Sequence, residues 1–247
     1  MIDRFAFTAM TGAKHAMGQL ATTTHNMANL QTPGFREMLS MFRAVPVVGA
    51  SADSRSFVVD STPGADWTPG TVSPTGNPLD LAIQDQGLFV IRRSDGQEAY
   101  TRAGKFHLDA QGFLVNSAGL PVLDYEGSEI QIPQGSKDIQ FSSNGTIRVT
   151  LPGQMFETTV GRLKLVNPLP HTLERLPDGL FGTTEELDAS ADVQVLQGSL
   201  EGSNVNAAQA MVQMIAQNRL FDLNIRLVQA AEQNSKTAGT LMSLSRV

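Results

Sequence analysis

Two long stripes of small and apolar residues, one near each end of the chain, constrain its fold more than any other feature. The N-terminal stripe advances in steps of three and four and comprises Ala6, Ala9, Ala13, Ala16, Leu20, Thr23, Met27 and Leu30. The C-terminal stripe has the same spacing and comprises Ala216, Leu220, Leu223, Leu227, Ala230, Asn234, Thr237, Leu241 and Leu244. Because this spacing is typical of coiled-coil seams, it predicts two long helices that pair with each other.

The N-terminal helical pattern ends in a cluster of helix-stopping residues. Asn29, Thr32, Pro33 and Gly34 follow one another closely; proline cannot continue a helix, and glycine accepts a positive φ. An ordinary helix end is the simplest interpretation. Because a second stripe lies at the other end of the chain, we also interpret residues 25–37 as the junction between an inner helix and an outer segment.

The middle of the chain lacks helical periodicity. Residues 35–78 are rich in proline, glycine, serine and threonine, which predicts an extended connecting region. From residue 79 to about residue 184, short β-like runs alternate with turn signals such as Asn144-Gly145, a pattern typical of antiparallel strands.

The predicted fold class is therefore α+β, with terminal helices that pair as a coiled-coil-like strut and an inserted, mostly antiparallel all-β domain. We expect an inner helical domain made of residues 1–34 and 204–247, connecting segments at 35–78 and 185–203, and the β domain at 79–184.

Composition and motifs argue against catalysis. The net charge of −6 disfavours a general role on nucleic acid, and the lack of cysteine excludes disulfides and cysteine-ligated metals. The four histidines have no metal-ligand spacing, and neither a phosphate-binding loop nor a nucleophile motif is present. We expect no enzymatic activity, no cofactor and no metal. No run approaches the roughly 18 apolar residues of a membrane span, and Lys14 interrupts any apolar secretory signal.

Three blocks of the sequence carry a family pattern. The first block is Asn26-Met27-Ala28-Asn29-Leu30 followed by Thr32-Pro33-Gly34-Phe35-Arg36. The second contains residues 76–83, Gly87, Phe89 and residues 100–104. The third contains residues 200–205, Met211, Met214-Ile215, Arg219 and Phe221. In this order, the blocks resemble the axial proteins of the bacterial flagellar basal-body rod and hook.

The resemblance implies a structural subunit of the flagellar rod. Residues 43–47 and 61–66 and the modest length most resemble the proximal rod subunits, with the distal rod as the alternative. Such a subunit assembles helically through its terminal helices, transmits torque and forms the wall of an export channel. Implied partners are copies of itself, neighbouring rod proteins and the flagellar type III export apparatus, with no nucleic acid and no membrane span. The implied location is the periplasmic rod of the basal body.

The resemblance also implies an assembly interface near both helix junctions. Its expected residues are Asn26, Met27, Asn29, Leu30, Thr32, Gly34, Phe35, Ser203, Asn204, Val205, Met211, Met214, Ile215, Phe221, Leu223 and Leu227. Asn26, Asn29 and Phe35 in particular are expected to contact neighbouring subunits. The alternative from another class is a secreted β-rich glycan-binding module with a coiled-coil stalk, suggested by Trp67, Tyr100 and Tyr125.

Overall fold

A computed structural model describes residues 2–46, 56–153 and 156–244. The chain forms two compact units. The helical unit contains Met1–Ala28, Met38–Thr62 and Asn206–Val247, and the β unit contains Asn29–Glu37 and Pro63–Val205. Helices and antiparallel strands confirm the α+β class. Residues 47–55 of the expected connecting region, which include the last residue of the stretch 43–47, lie outside the described residues.

The helical unit contains helices α1 (Ile2–Ala28) and α2 (Ala207–Leu244) and strand β1 (Met38–Pro46). A second strand, β2 (Ser56–Ala65), pairs with β1. On α1, the stripe positions Ala9, Ala13, Ala16 and Thr23 are buried. Small side chains let the neighbouring helix approach closely: a Cβ added at Gly12 would lie 2.7 Å from the side-chain oxygen of Asn224.

The buried face of α2 differs from the stripe predicted from its sequence. Its buried or half-buried positions include Ala210, Met214, Gln217, Phe221, Asn224, Val228 and Ala231. Gln217 Nε2 donates a hydrogen bond to Thr23 Oγ1 of α1 at 3.0 Å. The predicted stripe is exposed at Leu220, Leu223 and Leu227. The prediction of the inward face was thus wrong by one residue, or about 100° around the helix. The inward face includes polar residues such as Gln217, whereas the more apolar stripe faces outward. The side chains of Leu241 and Leu244 lie outside the described residues.

The β unit consists of short strands in several small sheets. The strands are β3 (Val72–Pro74), β4 (Leu81–Gln84), β5 (Leu88–Arg92), β6 (Glu98–Thr101), β7 (Phe106–Leu108), β8 (Leu114–Asn116), β9 (Lys137–Phe141), β10 (Thr146–Thr150), β11 (Glu157–Arg162), β12 (Leu165–Val166), β13 (Glu174–Arg175), β14 (Phe181–Gly182), β15 (Gln194–Gln197) and β16 (Ser199–Glu201). A five-stranded sheet has the order β12-β5-β6-β14-β13, and a three-stranded sheet has the order β11-β10-β9. The pairs β15-β4, β16-β3 and β7-β8 complete the described sheets. These pairings are antiparallel, as predicted.

Strand β5 lies at the centre of the packing. Phe89 and Ile91 belong to the larger hydrophobic cluster, whereas Leu88 and Val90 belong to a second cluster on the other face. Successive side chains of a strand point to opposite faces, so burial on both faces explains the uninterrupted apolar run. The predicted turn at Asn144-Gly145 joins β9 to β10, and Gly145 has a φ of 83°.

Candidate assembly site

The predicted interface residues fall into both units. In the helical unit, Met211, Ile215, Leu223 and Leu227 are exposed, with 54%, 55%, 56% and 43% of their surface accessible. On α1, Phe7, Met10 and Met17 are also exposed. Contiguous exposed apolar patches usually mark interaction sites, and isolated exposed apolar residues need no explanation. The regular spacing on α2 favours the first interpretation. We call the exposed stripe Leu220, Leu223 and Leu227 the outer stripe of α2.

Other predicted residues of the helical unit lie partly or fully inside it. Met27, Met214 and Phe221 are half-buried. Asn26 is buried, and its amide pairs with both backbone groups of Met38: Nδ2 donates to the carbonyl and Oδ1 accepts from the N–H, each at 2.9 Å. The Asn26 side chain therefore fixes the start of β1 against the last turn of α1. Its contact with a neighbouring subunit stays a prediction.

In the β unit, residues 34–37 run beside residues 201–204. The Gly34 N–H donates to the carbonyl of Glu201 at 2.8 Å, and the Asn204 N–H donates to the carbonyl of Phe35 at 3.3 Å. The Asn204 side chain extends this contact, since its Oδ1 accepts the Glu37 N–H at 2.7 Å and its Nδ2 donates to the carbonyl of Asp66 at 2.9 Å. These two segments adjoin α1 and α2 in sequence, so Asn204 holds together the chain segments that enter and leave the β unit.

Gly34 has the positive φ that its position predicted, at 68°. It is also tightly enclosed, because an added Cβ would lie 2.3 Å from the carbonyl carbon of Arg102. Both the backbone conformation and the space therefore require glycine here. A larger residue would disturb the β unit itself.

Phe35 is buried beneath a guanidinium group. The Arg175 guanidinium lies 4.7 Å from the centre of the Phe35 ring, and Arg175 Nη1 donates to the carbonyl of Arg36 at 3.0 Å. This is a cation–π contact within the unit. The contact of Phe35 with a neighbouring subunit, like that of Asn26, stays a prediction.

The remaining predicted residues are close to the same junction. Thr32 is exposed and donates from Oγ1 to Asn29 Oδ1 at 3.1 Å. Asn29, Leu30 and Ser203 are half-buried, and Val205 is buried. Of the eight predicted residues in the β unit, Thr32 is the one that the described structure leaves exposed.

A buried cluster of charges at this junction was missed by the sequence analysis. The carboxylate of Glu201 pairs with Arg36 Nη2 at 2.9 Å and with Arg102 Nε, and it accepts the Gly70 N–H at 2.8 Å. Arg102 also donates to the carbonyls of Gly87 and Ile83, at 2.7 and 3.0 Å. All three charged side chains are almost inaccessible to solvent. The cluster therefore connects the entering segment, the returning strand β16 and the turn after β4.

The pKa shifts at this junction follow from burial. Burial lowers the pKa of Arg36, an effect that the nearby Glu201 carboxylate opposes. Arginine nevertheless stays protonated in proteins. Burial raises the pKa of Glu37, and the charge of Asp66 raises it further. The available sequence signal was only that Arg36 and Glu201 lie inside family blocks, and residue types alone do not pair two charges so far apart in sequence.

The part of the chain that the structure describes contains neither a candidate metal site nor a membrane-spanning helix. Residues 2–46, 56–153 and 156–244 contain no group of three or more histidine, aspartate or glutamate side chains arranged to hold a metal ion. None of the described helices is long and apolar enough to cross a membrane.

Sequence comparisons agree with the family pattern. Residues 82–149 match the flagellar hook protein FlgE/F/G D1 domain, and residues 196–241 match the flagellar basal body rod FlgEFG protein C-terminal family. The flagellar basal-body rod protein FlgF of Salmonella typhimurium is 41% identical over 99% of this chain and 100% of its own length. The chain belongs to the flagellar basal-body rod protein family.

Within this family, the chain is more similar to the FlgF proteins of Salmonella typhimurium and Escherichia coli than to the FlgG of Caulobacter vibrioides. Escherichia coli FlgF is 40% identical over 99% of this chain and 100% of its own length. Caulobacter vibrioides FlgG is 30% identical over 96% of this chain and 98% of its own length. The chain is accordingly a structural rod subunit of the flagellar basal body and not an enzyme.

Proposed function

We propose that this subunit assembles helically through its terminal helices, with copies of itself and with neighbouring rod proteins. The observation that carries the proposal is the outer stripe of α2, whose leucines are exposed although their spacing is that of a helix-packing seam. Burying large apolar side chains is favourable by about 1.5–3 kcal/mol each. A partner helix on this stripe would therefore stabilise the assembly.

The proposed architecture assigns one role to each face of α2. The inward face, with Gln217 and Phe221, pairs with α1 in a coiled-coil-like strut, and the outer stripe contacts other subunits. The β domain at 79–184 is then an insertion between the two halves of the helical domain, 1–34 and 204–247, with connecting segments at 35–78 and 185–203. The close approach of Gly12 to Asn224 and the hydrogen bond from Gln217 to Thr23 support this pairing.

The proposed interface is narrower than the predicted one. Met211, Ile215, Leu223, Leu227 and Thr32 are accessible and can contact a neighbour directly. Half-buried residues such as Met214 and Phe221 contribute the edges of that surface. The buried residues Asn26, Gly34, Phe35 and Val205 act indirectly, because they fix the shape of the segments next to the helices.

The location and mechanical role of the subunit follow from this assembly. The rod lies in the periplasm, and the subunit reaches it through the flagellar type III export apparatus. The assembled helices line the channel through which later subunits are exported, and their side-by-side packing transmits torque. The family membership and the long helices of the helical unit support these points.

The assembly proposal is tested by adding charge to the outer stripe. Leu223→Glu combined with Leu227→Glu should abolish swimming when expressed in a strain that lacks the native gene, and basal bodies isolated from it should lack a complete rod. The purified variant should keep the helical content of the native chain, because both leucines are exposed in it. Gln229→Glu, at an exposed polar position of the same helix, adds charge and should swim normally. Normal swimming by the double variant would refute the proposal.

We propose the proximal rod as the position of this subunit, because the FlgF of Salmonella typhimurium is the more similar relative. The distal rod is the second candidate position, because the FlgG of Caulobacter vibrioides matches nearly the whole chain. Complementation of deletion strains distinguishes the proximal from the distal position. We expect this gene to restore swimming in a strain lacking FlgF and to fail in a strain lacking FlgG; the opposite result would place the subunit in the distal rod.

A further inference from the structure

The β unit contains a cavity that the assembly proposal does not use. Its volume is about 270 Å³. The residues that line it are Gly64, Ala65, Trp67, Pro170, His171, Leu173, Arg175 and Phe181. This volume is close to the lower limit of small-molecule sites, which start at roughly 300 Å³.

The walls of the cavity are mainly apolar and aromatic. The ring centroids of Trp67 and Phe181 are 4.8 Å apart with their planes inclined at 43°. Phe181 is buried, whereas Trp67 and Leu173 are half-buried and thus present part of their surface to the opening. Such a pair of rings with proline and leucine beside them favours a flat or branched apolar group.

The polar feature of the cavity is a positive charge without a carboxylate partner. Arg175 Nη1 donates to the carbonyl of Arg36, and its guanidinium lies 5.4 Å from the Phe181 ring centre. Among the residues that the structure describes, no carboxylate pairs with Arg175, and its buried Nε has no hydrogen-bond acceptor. None of the lining residues is acidic. Burial also lowers the pKa of Arg175, which indicates that this charge is poorly solvated.

We propose that this cavity binds an apolar group that carries a carboxylate. The apolar part packs against Trp67 and Phe181, and the carboxylate pairs with the guanidinium of Arg175. Charge-assisted hydrogen bonds of this kind are among the stronger ones in proteins, and arginine matches carboxylate geometry well. A cation of the same shape is disfavoured, because none of the lining residues is acidic and Arg175 already carries a positive charge. The carboxylate can belong to a small molecule or to an acidic side chain next to an apolar one in a peptide.

Trp67 makes the proposal directly measurable, because it is the only tryptophan in the sequence. Phenylacetate titrated into the full-length chain should change the tryptophan fluorescence with low-millimolar affinity. Uncharged phenylacetamide has the same size and should bind roughly tenfold more weakly, since it lacks the charge-assisted hydrogen bond. Equal affinities for the two compounds, or no response to either, would overturn the proposal.

Variants of the guanidinium test its role. Arg175→Gln should weaken phenylacetate binding roughly tenfold and leave phenylacetamide binding unchanged. Arg175→Lys keeps the charge and should retain part of the preference for phenylacetate over phenylacetamide. This variant replaces Arg175→Gln in the test if the glutamine variant does not fold. The matched control is Arg162→Gln, since Arg162 lies over the ring of Tyr125 and outside the cavity lining. A control variant that lost the preference equally would contradict the assignment to Arg175.

The source of the carboxylate is distinguished by a second probe. Acetyl-Phe-Asp-amide has its only carboxylate on a side chain within a blocked peptide. Tighter binding of this peptide than of phenylacetate would indicate a protein segment as the natural occupant, and the reverse order a small molecule. Failure of both probes would overturn this proposal and leave the assembly proposal untouched, because the outer stripe of α2 belongs to the other unit.

Discussion

The helical unit and the β unit bury different kinds of side chain. The fully buried side chains of the β unit include many large ones, for example Phe89, Leu123 and Ile147. In the helical unit, the described buried apolar positions on the two helices are all alanines: Ala9, Ala13, Ala16, Ala210 and Ala231. Several large apolar residues of these helices, such as Met17 and Leu223, are exposed, whereas Met27, Met214 and Phe221 are half-buried.

This difference indicates how much of the stability of each unit comes from contacts within a single chain. Hydrophobic stabilisation grows with the apolar area removed from water, so a core of large side chains supports the β unit by itself. Alanine contacts remove little area, and most helical stability in proteins comes from packing. In the proposed assembly, the helical unit would gain a large part of its stability when other subunits cover its exposed residues.

The largest expected effect comes from breaking the buried charge cluster of the β unit. Glu201→Gln leaves Arg36 and Arg102 without their carboxylate, and loss of one partner of a buried ion pair costs about 3–5 kcal/mol. Urea unfolding of the full chain measures this loss. The control Glu129→Gln removes a half-exposed pair with Arg92 and should cost less than about 1 kcal/mol. Similar losses in both variants would show that the cluster does not hold the β unit together.

A truncation in each unit tests the comparison itself. Ile147→Ala removes a fully buried side chain of the β unit and should cost about 2–5 kcal/mol. Leu223→Ala removes a side chain of similar size from the outer stripe and should change the stability of the isolated chain by no more than about 0.5 kcal/mol. Both values come from urea unfolding of the monomer. A loss of several kcal/mol for Leu223→Ala would mean that the helical unit already buries this residue in the single chain.

The sequence predicted the local structure well because its signals were local. The stop residues after Ala28 end α1, the positive φ of Gly34 was anticipated, and Asn144-Gly145 forms the turn between two strands. The small residues of the α1 stripe, such as Ala13, also mark its buried face correctly. These patterns act within a few residues, so no tertiary information is needed to interpret them.

The sequence could not predict which face of α2 turns inward or which charges pair. On α2 the most regular apolar stripe faces outward, and periodicity alone cannot distinguish a face buried within the chain from one that a partner would cover. Arg36, Arg102 and Glu201 meet only because the entering and returning segments run side by side. Asn26 and Asn204 were predicted to lie at an interface, and in the structure both hydrogen-bond to backbone groups of the same chain. These partners depend on the tertiary fold, so the residue type alone does not predict them.

The smallest expected effect on stability at neutral pH comes from the ionisation of Tyr100. This titration tests whether the core of the β unit excludes solvent. Tyr100 is 1% exposed and lies beside Glu98, whereas Tyr125 is 54% exposed. Burial, with a further contribution from the Glu98 charge, raises the pKa of Tyr100 to about 12. Because the folded chain holds this proton more tightly than the unfolded chain, the stability it confers is complete below the ordinary tyrosine pKa of about 10. It is lost as the pH rises from there to about 12.

The titration can be assigned to Tyr100 because the sequence contains two tyrosines. Tyr125→Phe leaves Tyr100 as the only phenol, and its phenolate absorbance should develop with a midpoint near 12 while circular dichroism reports whether the chain is still folded. Tyr100→Phe should flatten the loss of stability over the same pH range. A midpoint near 10 in a folded chain would show that solvent reaches this side chain, and the β unit would then be as open as the outer stripe of α2.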